Sequence, residues 1–252
     1  MDFTWDIEAT IQITDFATDP TARQLVGELK EIVQDVWATN LQRYEPEALG
    51  DTPRALGHLS AENITQRVLR SLGRGSDLYE KGVRVSTPET SLLIEYRGYR
   101  IRVVKAPSAS RRNPDWFRDF SWSSGSAVRH DAAWRNSRSV DIVLGNFRQP
   151  ALFELEVEEH LGDAYDCRDI FLVWAGELGP EARTSGWLGL PSLGPSPWLS
   201  VVDAWQDGRE AADEKPTDET STTGPAAPSY ESAATPAPRV TLKRNRVEEL
   251  GA

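Results

Sequence analysis

The chain predicts an α+β fold, with two N-terminal helices packed on a mostly antiparallel sheet and a disordered C-terminal tail. Three observations predict it: an apolar period near 3.6 residues after Pro20, a period-two hairpin at Ser91–Lys105, and a break in composition at Gln206. Asp19-Pro20 reads as an N-cap with proline at the first helical position. Leu25, Val26, Leu29, Ile32, Val33, Val36, Trp37, Leu41 and Tyr44 then follow at helical spacing, with Glu28, Lys30, Glu31 and Asp35 opposite. That predicts an amphipathic helix of about 25 residues ending before Pro46. Residues 45–59, with Gly50, Pro53 and Gly57, read as a connector. A second helix is expected from Ser60 as N-cap to Gly73, burying Ile64, Val68, Leu69 and Leu72.

Val83 and Val85 suggest a short strand before the hairpin. Placing a two-residue turn at Arg97-Gly98 pairs Tyr96 with Tyr99, Glu95 with Arg100, Ile94 with Ile101 and Leu93 with Arg102. One face then holds Leu92, Ile94, Tyr96, Tyr99, Ile101 and Val103. The other holds Glu95 across from Arg100, with Arg102 beside it, and these guanidinium groups are expected in water. Residues 106–137 keep neither period and carry Trp116, Phe117, Phe120 and Trp122, so they read as an irregular, aromatic-rich insertion. Strands are expected at Val140–Leu144, Ala151–Val157, Asp169–Trp174, Trp187–Leu190 and Trp198–Trp205. The organisation is a single α+β domain over 1–205. Residues 206–252 form an acidic and Pro/Ala/Thr-rich tail with a basic end, too poor in apolar residues to order itself.

The 252 residues are 39% hydrophobic, enough for a substantial core. The first residues show no basic-then-apolar leader, and no apolar run approaches the roughly 20 residues of a membrane span. Cys167 is the only cysteine, so a disulfide framework within one chain is excluded and a buried, inert thiol is expected. These features point to a cytoplasmic protein. The net charge of −11 works against general coating of nucleic acid. The charge is segmented: residues 67–112 carry 11 bases and 4 acids, while residues 154–219 carry 16 acids and 4 bases. Such a chain either neutralises itself on folding or offers a basic patch to an acidic partner.

Little in the sequence resembles a catalytic set. His58, His130 and His160 are far apart, and neither a nucleophile elbow nor a phosphate-binding loop is present. Asp141 and Glu154 have a nuclease-like spacing, but Glu156 stands where a lysine is needed. Glu159, His160, Asp163 and Asp166 could together hold a hard divalent cation and support a metal-dependent hydrolase. Glu154 and Glu156 read better as the polar face of a half-buried strand, where cross-sheet ion pairing needs no metal. No cofactor is expected. For binding, Arg97, Arg111 and Arg112 lie in a 16-residue basic stretch without an acid, and Trp116, Phe117 and Trp122 follow. Bases beside aromatics can grip a phosphate backbone and stack nucleobases, or anchor a protein partner.

Read in order, Val36-Trp37, His58-Leu59-Ser60, Val83-Arg84-Val85, Leu93-Ile94 and the run Tyr99–Pro107 resemble a family of uncharacterised proteins from GC-rich bacteria. Its members are often encoded beside a phage-repressor-type helix-turn-helix regulator that carries a metallopeptidase-like domain. The resemblance spans residues 20–107 and extends to Phe171–Gly176 and Gly186–Pro191. It implies a non-enzymatic accessory or regulatory protein that binds another protein, such as that transcription regulator. A nucleic-acid-binding module built on residues 97–112 is the alternative.

Overall fold

The structure is a computed structural model describing residues 5–88, 91–107, 112–122, 126–148 and 166–207, with the backbone alone described over 141–148. The chain divides into units Met1–Glu210 and Ala211–Ala252, and every described residue belongs to the first. The expected strand at Ala151–Val157 and the expected tail beyond residue 207 lie outside the described residues.

Local chemistry starts each helix. Asp6 caps α1 (Ile7–Thr18) by accepting from the Ala9 N–H at 2.9 Å. Asp19 caps α2 (Pro20–Leu41), accepting from the N–H groups of Thr21 and Ala22 at 3.0 Å. The Ala22 bond is the main reason its carboxyl is held below the usual aspartate value. Thr52 caps α3 (Pro53–Ser71) through the Ala55 N–H at 3.1 Å, and Ser76 caps the single turn α4 (Asp77–Glu80).

Two expectations for the helices are corrected here. An additional helix, α1, precedes the predicted pair. The second predicted helix begins at Pro53, two turns earlier than Ser60, because Thr52-Pro53 is the real cap. Ser60 is instead fully buried inside α3, accepting from Asn40 Nδ2 at 3.1 Å, while Asn63 donates to Asn40 Oδ1 at 3.0 Å. This buried polar relay fixes α2 against α3.

Strands β1 (Arg84–Ser86), β2 (Leu93–Tyr96), β3 (Tyr99–Lys105), β4 (Asp169–Gly176), β5 (Thr184–Pro191) and β6 (Trp198–Gln206) form one sheet in sequential order. Every neighbouring pair is antiparallel except β3 and β4, which run parallel. The hairpin register is the predicted one, with Tyr96 opposite Tyr99 and Glu95 opposite Arg100. Its turn holds φ at 49° for Arg97 and 81° for Gly98, the positive values that a type I′ connection requires.

The parallel pair explains a misread segment. A parallel return needs a long crossover, and α5 (Ala127–Arg148) lies within it. The strand expected at Val140–Leu144 is therefore helix, and so is the end of the supposedly irregular segment. Among the described side chains of α5, those buried are Ala132, Ala133, Asn136 and Val140, a set too small and too polar to show as an apolar stripe.

Both faces of the sheet are covered. Ile170, Leu172 and Trp174 of β4 join α1, α2 and α3 in one core, while Phe171, Val173 and Ala175 join a second with α5 and residues 114–122. Burial on both faces is why β4 reads as a continuous apolar run. Three strand glycines receive tryptophan rings. A Cβ on Gly176 would stand 2.3 Å from Trp37, on Gly186 2.2 Å from Trp205, and on Gly189 2.6 Å from Trp198. Trp37 also donates from Nε1 to the Glu177 carbonyl at 3.1 Å, tying α2 to the end of β4.

Candidate functional site

Asp169, the first residue of β4, is 1% exposed and stands beside Arg100 of β3 in the parallel register. Arg100 donates from Nε and Nη2 to its two oxygens at 3.1 and 2.7 Å. Arg135 of α5 does the same from the other side, at 2.9 and 2.8 Å. One buried carboxylate thus receives two guanidinium forks, and hydrogen bonding to Asp169 raises the Arg135 pKa above the ordinary arginine value. Glu95 stands opposite Arg100 as expected, but the Arg100 guanidinium is directed to Asp169, which offers two aligned acceptors in a drier place. Arg102, expected in water, is also buried, with Nη1 donating to Ser91 Oγ at 3.3 Å.

Asn136 completes the attachment of α5. Its Nδ2 donates to the carbonyls of Asp169 and Pro191 at 2.8 and 3.1 Å, and its Oδ1 accepts from the Asp169 N–H at 3.2 Å. Over this anchor lies a cleft of about 390 Å³, lined by Arg100, Arg135, Arg138, Arg168, Asp166 and Trp134 among others. Arg168 is paired with Asp166 and lies 5.0 Å from the Tyr99 ring centroid. Arg138 covers Trp134 at 5.4 Å, and that tryptophan is 47% exposed. Four guanidinium groups face two carboxylates in the lining, an excess of two positive charges among the described residues. Asp131, a turn earlier on α5, adds a further attraction on Arg135.

The residues singled out in the sequence fall elsewhere. Arg97 is an exposed turn residue donating to Asp19 at 2.9 Å. Arg112 is spent inside the chain, donating to Ser185 Oγ at 3.1 Å, Glu177 at 3.2 Å and the Asp207 carbonyl at 2.6 Å. Trp116 stacks on Phe120 at 5.3 Å and meets Trp187 and Trp198 edge-on. Phe117 stacks on Trp5 at 5.1 Å, and Trp122 is buried with its indole N–H on the Pro197 carbonyl. These rings fasten residues 112–122 across the sheet. Arg111, Glu159, His160 and Asp163 lie outside the described residues, and Asp166 is the one metal candidate within them. Among the described residues, no group of three His, Cys, Asp or Glu side chains could hold a metal ion.

The cleft's own residues carry little signal in the sequence. Arg135 and Asn136 sit on a helix with a weak apolar stripe, and Trp134 is the exposed member of its turn. The signal present was Asp169 heading an apolar strand, where an acid needs a cationic partner.

Cys167, immediately before β4, is fully buried, and burial pushes its thiol up to about 12. The native protein is expected to resist a thiol reagent at pH 8 and to titrate one thiol only after unfolding in guanidinium. Rapid labelling of the folded chain would contradict this placement.

No family model, curated protein or solved structure matches this chain. Among the described residues, fold and site together define a class only: an α+β protein with a six-stranded sheet and a tryptophan-bearing arginine cleft at its parallel seam. Among the described residues, no helix is long and apolar enough to cross a membrane.

Proposed function

We propose that this chain is an accessory or regulatory protein that binds another protein, docking an acidic segment of it in the cleft around Trp134. The supporting observation is an exposed tryptophan among four arginines on a platform that Asp169 and Asn136 lock in place. Tryptophan and arginine supply most interface anchors, since each gives large contact area or forked hydrogen bonds for little lost freedom. Rigid support under such residues lowers the ordering cost of binding. The excess positive charge among the described lining residues favours an acidic partner, even on a chain whose net charge is −11. The resemblance of residues 20–107 to a family encoded beside phage-repressor-type regulators makes such a regulator the first partner to test.

The test is capture by the full chain against the variant Trp134→Ala with Arg138→Glu, each checked for an unchanged thermal midpoint. The expected result is a partner retained by the wild type and lost by the variant. Retention by both would refute the cleft as the docking surface. Tight binding of DNA or RNA that falls steeply with salt and survives the same substitutions would instead favour the nucleic-acid alternative.

A further inference from the structure

We infer that the group this cleft takes from its partner is a phosphomonoester dianion carried on an aromatic ring, so that docking depends on phosphorylation. The inference rests on the docking reading above and adds the chemistry of the ligand.

Charge is the first argument. The lining carries an excess of two positive charges among the described residues. A phosphomonoester carries about −1.5 to −2 at neutral pH, whereas a carboxylate or sulfate ester offers only −1. Donor geometry is the second. Arg100 and Arg135 each spend Nε and Nη2 on Asp169, and Nη1 of each makes no hydrogen bond among the described residues. Two guanidinium groups whose planes are already fixed by one buried carboxylate present those remaining donors at a set position. Phosphate oxygens accept such charged, pre-oriented donors well. The Arg138 guanidinium, held over an indole and not in a fork, keeps its own N–H edges available to an oxyanion.

Space and surface are the third argument. The cleft's volume of about 390 Å³ exceeds what a bare phosphate fills, and it falls in the range of roughly 300–1,000 Å³ found for pockets that hold small organic groups. Trp134 lines the same space and is 47% exposed, an apolar face otherwise wasted on water. A phosphate bound at Arg100, Arg135 and Arg138 with its ring against Trp134 uses those three guanidinium groups and the exposed indole, while Arg168 stays with Asp166. A phosphotyrosine side chain has this form; a nucleoside monophosphate, which carries its phosphate on the ribose and its aromatic base farther off, is the competing source of the same two groups.

Calorimetry on the full chain tests it with phenyl phosphate, phenyl sulfate and inorganic phosphate. Phenyl sulfate has the same shape with one charge fewer, so phenyl phosphate should bind at least about tenfold more tightly. Trp134→Ala should weaken phenyl phosphate but leave inorganic phosphate unchanged, and Arg138→Gln should weaken both. Equal binding of the two esters, or binding indifferent to these substitutions, would overturn the inference. If phenyl phosphate does not bind while the wild-type chain still captures its protein partner through Trp134, the phosphate chemistry falls and the docking reading stands. A phosphotyrosine peptide binding more tightly than adenosine monophosphate supports a protein source, whereas the reverse order overturns the protein partner and keeps the phosphate site.

Discussion

Replacing Asp169 by asparagine should lower the stability of the folded unit by about 3 kcal/mol, because two converging guanidinium groups lose their shared counter-charge. Removing one partner of a buried ion pair costs about 3–5 kcal/mol in general. The lower end applies here, since the side chains of Arg100 and Arg135 are 36% and 34% exposed and water screens part of the repulsion. Asparagine keeps the shape and one acceptor oxygen, so the loss is electrostatic and leaves no cavity. The urea unfolding midpoint measures it, and a loss below 1 kcal/mol would mean that the triad is not holding α5. The double variant Asp169→Asn with Arg135→Met should recover part of the loss, because it removes the repulsion along with its cause. Binding at the cleft should fall in the single variant even where the chain stays folded, since Arg100 and Arg135 then lose their fixed orientation.

Gly186→Ala should cost about as much by an unrelated route. The added methyl would lie 2.2 Å from the Trp205 ring, which is buried and donates from Nε1 to Thr184 Oγ1 at 3.0 Å. The ring cannot retreat without giving up that bond and its place in the core, and forcing extra volume into a packed site costs about 1–3 kcal/mol. A loss near the upper end of that range is expected, read as a drop in thermal midpoint. Gly27→Ala is the control. Gly27 sits exposed within α2 and a Cβ there meets nothing within 4 Å. It should gain up to about 1 kcal/mol from helix propensity alone. Equal effects at both positions would refute the slot.

The hairpin and the helices differ in how openly they declare themselves. Period-two alternation across Arg97-Gly98 specifies its own register, because a one-residue slip would turn every apolar side chain to the wrong face. The α2 stripe is legible for the same reason, since Leu25, Leu29, Val33 and Val36 all face one core. The start of α3 was obscured by Gly57 and by the buried polar Ser60, which only a partner on α2 can justify. Helix α5 is hidden in the sequence because, among its described side chains, those buried beside Val140 are only alanine and asparagine. Asn136 attaches it to the sheet by hydrogen bonds to the carbonyls of Asp169 and Pro191, a contact that no apolar pattern announces.

The candidate site was less legible still. Arg97, Arg112, Trp116 and Trp122 drew attention as a basic and aromatic run, yet Arg112 and the two tryptophans serve internal packing and pairing. The cleft gathers Arg100, Arg135 and Asp169, which are separated by 34 to 69 positions along the chain. No local pattern marks such a set.

Taken alone, the order of residues dictated what near neighbours can settle: caps, turn, strand alternation and the apolar character of β4. Folding decided what depends on distant partners, namely the parallel pairing of β3 with β4, the three glycine slots for tryptophan, and which carboxylate claims Arg100. The physical reason is range. Backbone conformation and periodicity act over a few residues, whereas a buried charge takes whichever partner the packed chain brings within hydrogen-bonding distance.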